Sequence, residues 1–214
     1  MNAMLIACEM LEDEILLSME RNCCRYTTQW VGRQLHLSPK KLYNEVQDII
    51  DKHTGYDTIL LAMAQCGNAL VGLKSTHSTL IIPRFPDCLH MLQSMKNGDK
   101  GSLDIRTIYL TKGWLEGERS TLSEYSRFEA SHGSEKAHKA YQSIFSGYQQ
   151  VCLINTGAFD AAEAAVDARK TADILDLSYT ETPGTTRILD KLLTGQWDEE
   201  FLVAPPGKQI RYDY

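Results

Sequence analysis

What this sequence lacks removes whole classes of function. No apolar run comes near the ~18 residues that a membrane-spanning helix requires, so no span is expected. The first residues carry no basic stretch followed by a long apolar core; no export signal is expected, which places the protein in the cytoplasm. Cationic blocks are missing too. Lys and Arg total 22 against 28 Asp and Glu, for a net charge of −6. Nucleic acid binding needs a basic footprint, and none is visible. The isolated pair Lys40-Lys41 reads as a solvated helix face. The chain has no GxGxxG, no GxxxxGK followed by Ser or Thr, no GxSxG and no HExxH. Nucleotide binding through a standard glycine loop is therefore unsupported, as are the serine elbow and the zincin helix. CxxC is also absent, which removes thioredoxin-type motifs and zinc-finger knuckles.

What remains is an ordinary globular composition, 43% apolar and 23% charged over 214 residues. That length suits one α/β domain spanning residues 1–214, with a weak division near 115–150 that could separate two similar halves. Apolar runs that read as strands alternate with amphipathic segments. Strands are expected at Met4–Ala7, Cys24–Val31, Tyr56–Ala64, Leu80–Ile82, Ile105–Thr111, Gln150–Ile154, Ile174–Tyr179 and Phe201–Ala204. Helices are expected at Glu9–Arg21, Pro39–Lys52, Gly67–Leu73, Cys88–Met95, Ala158–Ala172 and Pro183–Leu193, with two more inside Glu118–Gly147 broken near Gly133-Ser134. Ser38-Pro39 is a cap followed by a proline at the first helical position, and Gly195 is a left-handed stop. The alternation predicts an α/β fold, doubly wound, with a mostly parallel sheet and helices on both faces.

Six cysteines without an export signal imply a reducing compartment, where thiols serve as core residues, ligands or nucleophiles. Cys8, Cys66 and Cys88 each follow an apolar run. In a parallel sheet that places all three at the carboxyl edge, where ligands bind. Cys66 and Cys88 are further expected at helix beginnings, where the dipole favours thiolate. Three convergent thiolates repel one another unless a cation neutralises them, which points to a shared metal ion or iron–sulfur cluster. His36, in the loop after the second strand, is the candidate fourth ligand, since three cysteines and a histidine form an accepted tetrahedral zinc set. The alternative for each thiol is a small buried hydrophobe, and for His36 a solvent-facing loop histidine. Asn68 is read as a substrate donor or a helix cap, Asp87 as a cap, Trp114 as a pocket wall or core indole, and Asn155 as part of an anion-binding turn. Cys23, Cys24 and Cys152 are assigned to the core.

Several blocks occur in order along nearly the whole chain: LIACE (5–9), LHLSPKKL (35–42), YDTILLAMAQCGNALVGL (56–73), IPRFPDC (82–88), TKGWLEG (111–117) and LLTGQWDEEFLVAPPG (192–207). With these the chain resembles the uncharacterised family catalogued as domain of unknown function 1638. The family pattern carries onto Cys8, Cys66 and Cys88, onto His36 and onto Trp114, and departs at Ala69, where glycine is usual. The resemblance implies a setting in anaerobic bacteria and methanogenic archaea, beside corrinoid-dependent methyl transfer, and hence one-carbon metabolism. Two readings from different classes follow. In one, the thiols hold zinc or an iron–sulfur cluster that acts on a small-molecule substrate or a corrinoid protein. In the other, the same thiols only carry a metal or corrinoid without turnover. A metal-free nucleophile at Cys66 is a third, and it lacks an evident base. A homo-oligomer is compatible with all three.

Overall fold

The computed structural model describes residues 2–212, and its element order follows the expected alternation. β1 (Ala3–Cys8) leads through a 3-10 turn (Glu9–Leu11) into α1 (Glu12–Arg21). β2 (Thr27–Val31) is followed by a second 3-10 turn (Arg33–Leu37), then α2 (Pro39–Lys52), β3 (Thr58–Ala62), β4 (Thr79–Pro83) and α3 (Cys88–Leu92). The chain continues through β5 (Thr107–Leu110), α4 (Lys112–Leu115), α5 (Thr121–His132), α6 (Ser134–Ile144), β6 (Gln150–Asn155), α7 (Ala161–Leu175) and β7 (Ser178–Pro183). It closes with α8 (Arg187–Thr194) and β8 (Phe201–Ala204). Among the described residues no helix is long and apolar enough to cross a membrane.

The chain forms two compact units. The first comprises the residues up to Gly101 together with those from Thr185 onward, and the second is Ser102–Gly184. In the first, the sheet order is β2-β1-β3-β4-β8, parallel except for β8, which runs antiparallel to β4. β2 lies on one side of β1 and β3 on the other, so the winding direction reverses between β1 and β3. The carboxyl edge at such a reversal is where open α/β sheets leave a crevice.

Alternation along the strands explains why helices cover both faces. Met4 and Ile6 of β1, with Ile59 and Leu61 of β3, pack against Leu42, Val46, Ile49 and Ile50 of α2. The intervening Leu5, Ala7, Leu60 and Ala62 are equally buried and face the other way, where α1 and α8 lie against the strands. Strands buried on both sides read as continuous apolar runs, as β3 does. Ser38 caps α2, its side chain accepting from the Lys41 amide with Pro39 in the first turn, and Gly195 ends α8 at φ 80°.

The second unit has a three-stranded parallel sheet, β5-β6-β7. Ala164, Ala165, Ala168 and Ala172 of α7 pack on Leu110, Val151 and Leu153. Small side chains let the helix sit close to the sheet.

Three expectations are corrected. Residues 67–73 form successive turns rather than a helix, because Cys66, Gly67 and Asn68 all take positive φ (47°, 66° and 67°), incompatible with a right-handed helix. The seventh strand begins later than expected. Ile174 and Leu175 finish α7, whose buried stripe Ala168, Thr171, Ala172 and Leu175 keeps helical spacing until Asp176 turns left-handed at φ 55°. Cys23 is exposed and Cys24 half-buried, so neither is a core residue, whereas Cys152 is buried as expected. The cause is the turn after α1, where Cys23 itself takes φ 50°.

Gly101 closes the first segment of the first unit at φ +69°, and a Cβ there would stand 2.2 Å from the His90 carbonyl oxygen. Backbone cannot yield as a flexible side-chain end does. Gly101→Ala is expected to lower stability by about 2 kcal/mol or more, from the clash added to left-handed strain. A shift in the urea midpoint at unchanged slope checks it.

Candidate functional site

Four consecutive strand ends of the first unit supply the candidate donors. Cys8 is the last residue of β1, His36 lies in the 3-10 turn after β2, Cys66 follows β3, and Cys88 opens α3 after β4. Strand register sets their common level: Cys8 pairs with Val31 of β2, and Ala7 with Ala62 of β3. The loops after β3 and β4 are then tied by backbone. The Gln65 amide donates to the Phe85 carbonyl and the Cys66 amide to the Pro86 carbonyl, each at 3.1 Å.

The donors meet as two pairs. Cys8 Sγ lies 2.8 Å from His36 Nε2 and also accepts from the Met10 amide at 3.4 Å. Cys66 Sγ and Cys88 Sγ are 4.0 Å apart. The pairs sense each other, since charge on Cys88 raises the pKa of Cys8. Among the described residues, no three His, Cys, Asp or Glu side chains are gathered tightly enough to hold a metal ion as they stand.

Burial governs the electrostatics. It pushes the fully buried Cys8 thiol up, and the His36 hydrogen bond and charge only partly offset that. For His36, burial works downward, while the hydrogen bond and charge of Cys8 carry the net pKa upward. The two tendencies oppose each other, because His36 is raised only by an anionic sulfur. Cys8 has no solvent contact to stabilise that anion, so burial favours the neutral thiol beside the imidazole over the ion pair. Cys88 is raised well above the ordinary thiol value, first by its hydrogen bond with Cys66, then by burial and by the charge of Cys66. This corrects the expectation of a helix-start thiolate. Asp87 does cap α3, accepting from the His90 amide at 2.9 Å, but five residues of helix cannot outweigh a neighbouring thiol and burial. At Cys66 no helix begins at all.

The remaining expected residues fall as follows. Asn68 is exposed, caps no helix, and accepts a hydrogen bond from the Gln65 amide group. His90 is engaged by Asp87 at 2.8 Å. Trp114, on α4, and Asn155, at the end of β6, belong to the second unit. Trp114 lines a shallow cleft, too narrow to hold a water molecule, with Leu110, Leu115 and Thr171. Asn155 accepts from the Gly157 amide at 3.0 Å and borders an open cavity of about 440 Å³ with Glu181 and Thr182.

Sequence reasoning missed a polar cluster altogether. Glu200, fully buried, accepts from Arg187 through both oxygens at 2.6 and 2.7 Å, from Lys191 at 2.6 Å and from the Gly98 amide at 3.1 Å. Asp198 completes it by pairing with Lys191. The one available signal was the i, i+4 spacing of two cations on α8 facing a short acidic run.

A family model described as protein of unknown function (DUF1638) matches residues 30–193, well over half of the chain. The chain belongs to the DUF1638 family. His36, Cys66, Cys88, Trp114 and Asn155 lie within the matched residues, and Cys8 precedes them. No curated protein and no solved structure matches the chain.

Proposed function

We propose that this DUF1638 protein binds a thiophilic metal ion through Cys66, Cys88, Cys8 and His36, with zinc favoured over an iron–sulfur cluster. The observation that carries the reading is the 4.0 Å separation of the Cys66 and Cys88 sulfurs. Two thiolates on one tetrahedral ion, each at ~2.3 Å, stand about 3.8 Å apart. Clusters of the 2Fe–2S and 4Fe–4S types are held by four cysteines, whereas three cysteines and a histidine lie at this edge. Cys8 and His36 at 2.8 Å are closer than the roughly 3.6 Å that sulfur and nitrogen adopt on one ion. Their mutual hydrogen bond would therefore give way on binding, and both lie at the same sheet edge to join the pair. With all four donors bound the ion is closed, as in a structural or carrier site; Lewis acidity toward a thiol or methylated substrate would require His36 to yield its position.

The chain's own residues set the rest. The buried thiols of Cys8 and Cys88 lose their protons only to a cation, so affinity rises with pH and binding releases protons. Half-exposed Cys66 leaves one side of the pair open to a small molecule. His36 is engaged by Cys8 rather than by Cys66, which disfavours a metal-free nucleophile at Cys66. A setting in anaerobic one-carbon metabolism, which the family resemblance implies, would make methylated thiols the substrates to try first and a corrinoid protein the partner.

Protein purified without oxygen should contain about one zinc per chain, with little iron or sulfide and no brown colour. Iron with stoichiometric sulfide would transfer the reading to a cluster. Absence of any metal, together with failure to take up added zinc, would refute it.

A further inference from the structure

We propose that Cys66 and Cys88 form a reversible disulfide, with half-exposed Cys66 as the thiol that meets the oxidant and buried Cys88 as the thiol that resolves it. The inference goes beyond metal binding and does not rest on it. Its basis is geometric. The sulfurs are 4.0 Å apart, and the loops that carry them are already joined by two backbone hydrogen bonds, Gln65 to Phe85 and Cys66 to Pro86. A bond of ~2.05 Å then requires the two sulfurs to close a gap of about 2 Å. Accessibility differs as an exchange pair requires: Cys66 reaches solvent, whereas Cys88 lies within the fold. Cys8, the other nearby thiol, is fully buried and hydrogen-bonded to His36, so it does not compete for the oxidant.

The oxidant is a low-molecular-weight disulfide, RSSR. The Cys66 thiolate attacks one of its sulfurs, making a Cys66–S–S–R bond and breaking the S–S bond, and the first RS⁻ leaves. Cys88 then gives up its proton and attacks the Cys66 sulfur, forming the Cys66–Cys88 disulfide and expelling the second RS⁻. Two electrons pass from the protein thiols to RSSR, and the two protons lost end on two RSH. Both sulfurs thereby leave the donor set, so the disulfide and a metal ion on this pair exclude each other.

The test uses the full chain, reduced, stripped of metal by a chelator and exposed to oxidised glutathione, in a Cys23→Ser/Cys24→Ser background that removes the exposed Cys23 and half-buried Cys24 thiols. Peptide mapping by mass spectrometry should show Cys66 linked to Cys88 with the loss of two hydrogens, reversed by a dithiol reductant. Cys88→Ser should instead accumulate glutathione on Cys66. If the unsubstituted pair also stops at a stable mixed disulfide, or if the link forms to Cys8, the proposal is overturned. The mapping decides even where Cys88→Ser fails to fold. A zinc-loaded sample separates the two ideas. It should form the link at least about tenfold more slowly, since bound thiols are withheld from exchange. Equal rates with and without zinc would remove the metal from this pair and leave the disulfide standing.

Discussion

Glu200→Gln is expected to destabilise the first unit by about 3 kcal/mol at neutral pH. Arg187 and Lys191 hold the Glu200 carboxylate far below its ordinary value of 4.5, at about 2, the Arg187 hydrogen bonds being the largest cause. A shift of that size is about 3 kcal/mol, at roughly 1.4 kcal/mol per pKa unit. Removing one member of a buried ion cluster costs about 3–5 kcal/mol in other proteins, because the remaining charges lose their partner. The glutamine keeps shape and can still accept one hydrogen bond, which puts the expectation at the lower end.

The pH dependence follows with its sign. The folded pKa is depressed, so the stabilisation is complete above the unfolded value of ~4.3 and is lost as pH falls through about 2. Urea denaturation at several pH values should show the native protein losing this increment between pH ~4.5 and ~2. Glu200→Gln should be flat in that window apart from the other carboxylates. A variant as stable as the native protein at pH 7 would show the cluster to be replaceable.

Cys88→Ser is expected to weaken zinc binding at least roughly 100-fold. Apparent binding free energies of ~10–16 kcal/mol for structural zinc, shared among four ligands, give about 3 kcal/mol or more for each. Cys88 belongs to one donor pair through Cys66, and its charge reaches Cys8 of the other. Competition against a chromophoric chelator measures the change. Cys152→Ser, in the buried sheet of the second unit, should leave the affinity unaltered. Affinity retained within about twofold in Cys88→Ser would mean that no shared centre exists.

The sheet edge was legible because strand and helix alternation is written in apolar periodicity. Cys8, Cys66 and Cys88 could be placed at the ends of β1, β3 and β4 from that pattern alone, and His36 in the loop after β2. Their partners were not legible. Whether His36 meets Cys8 or Cys66 depends on a 3-10 turn of five residues, and short turns carry no period. The turn at 66–68 misled for a related reason. The apolar spacing Ala69, Leu70 and Leu73 resembles a helix, but those side chains reach the core from successive turns, after three left-handed residues that only Gly67 announces. Glu200 was invisible because a glutamate in an acidic stretch looks solvated. Its burial is decided by Arg187 and Lys191 on another element.

β8 has a consequence for how this molecule is made. It covers the outer side of β4, and beyond it the Ile210 amide and carbonyl bond to Leu73 and Gly72. Everything from Thr185 onward is translated after the whole second unit, yet it finishes the first. The platform bearing the thiols therefore waits on the ribosome through some eighty intervening residues, with the flank of β4 bare in the meantime. A nascent chain arrested before β8 would present that unpaired flank to its neighbours, which makes the late segment a guard against strand-to-strand association as well as a wall of the fold.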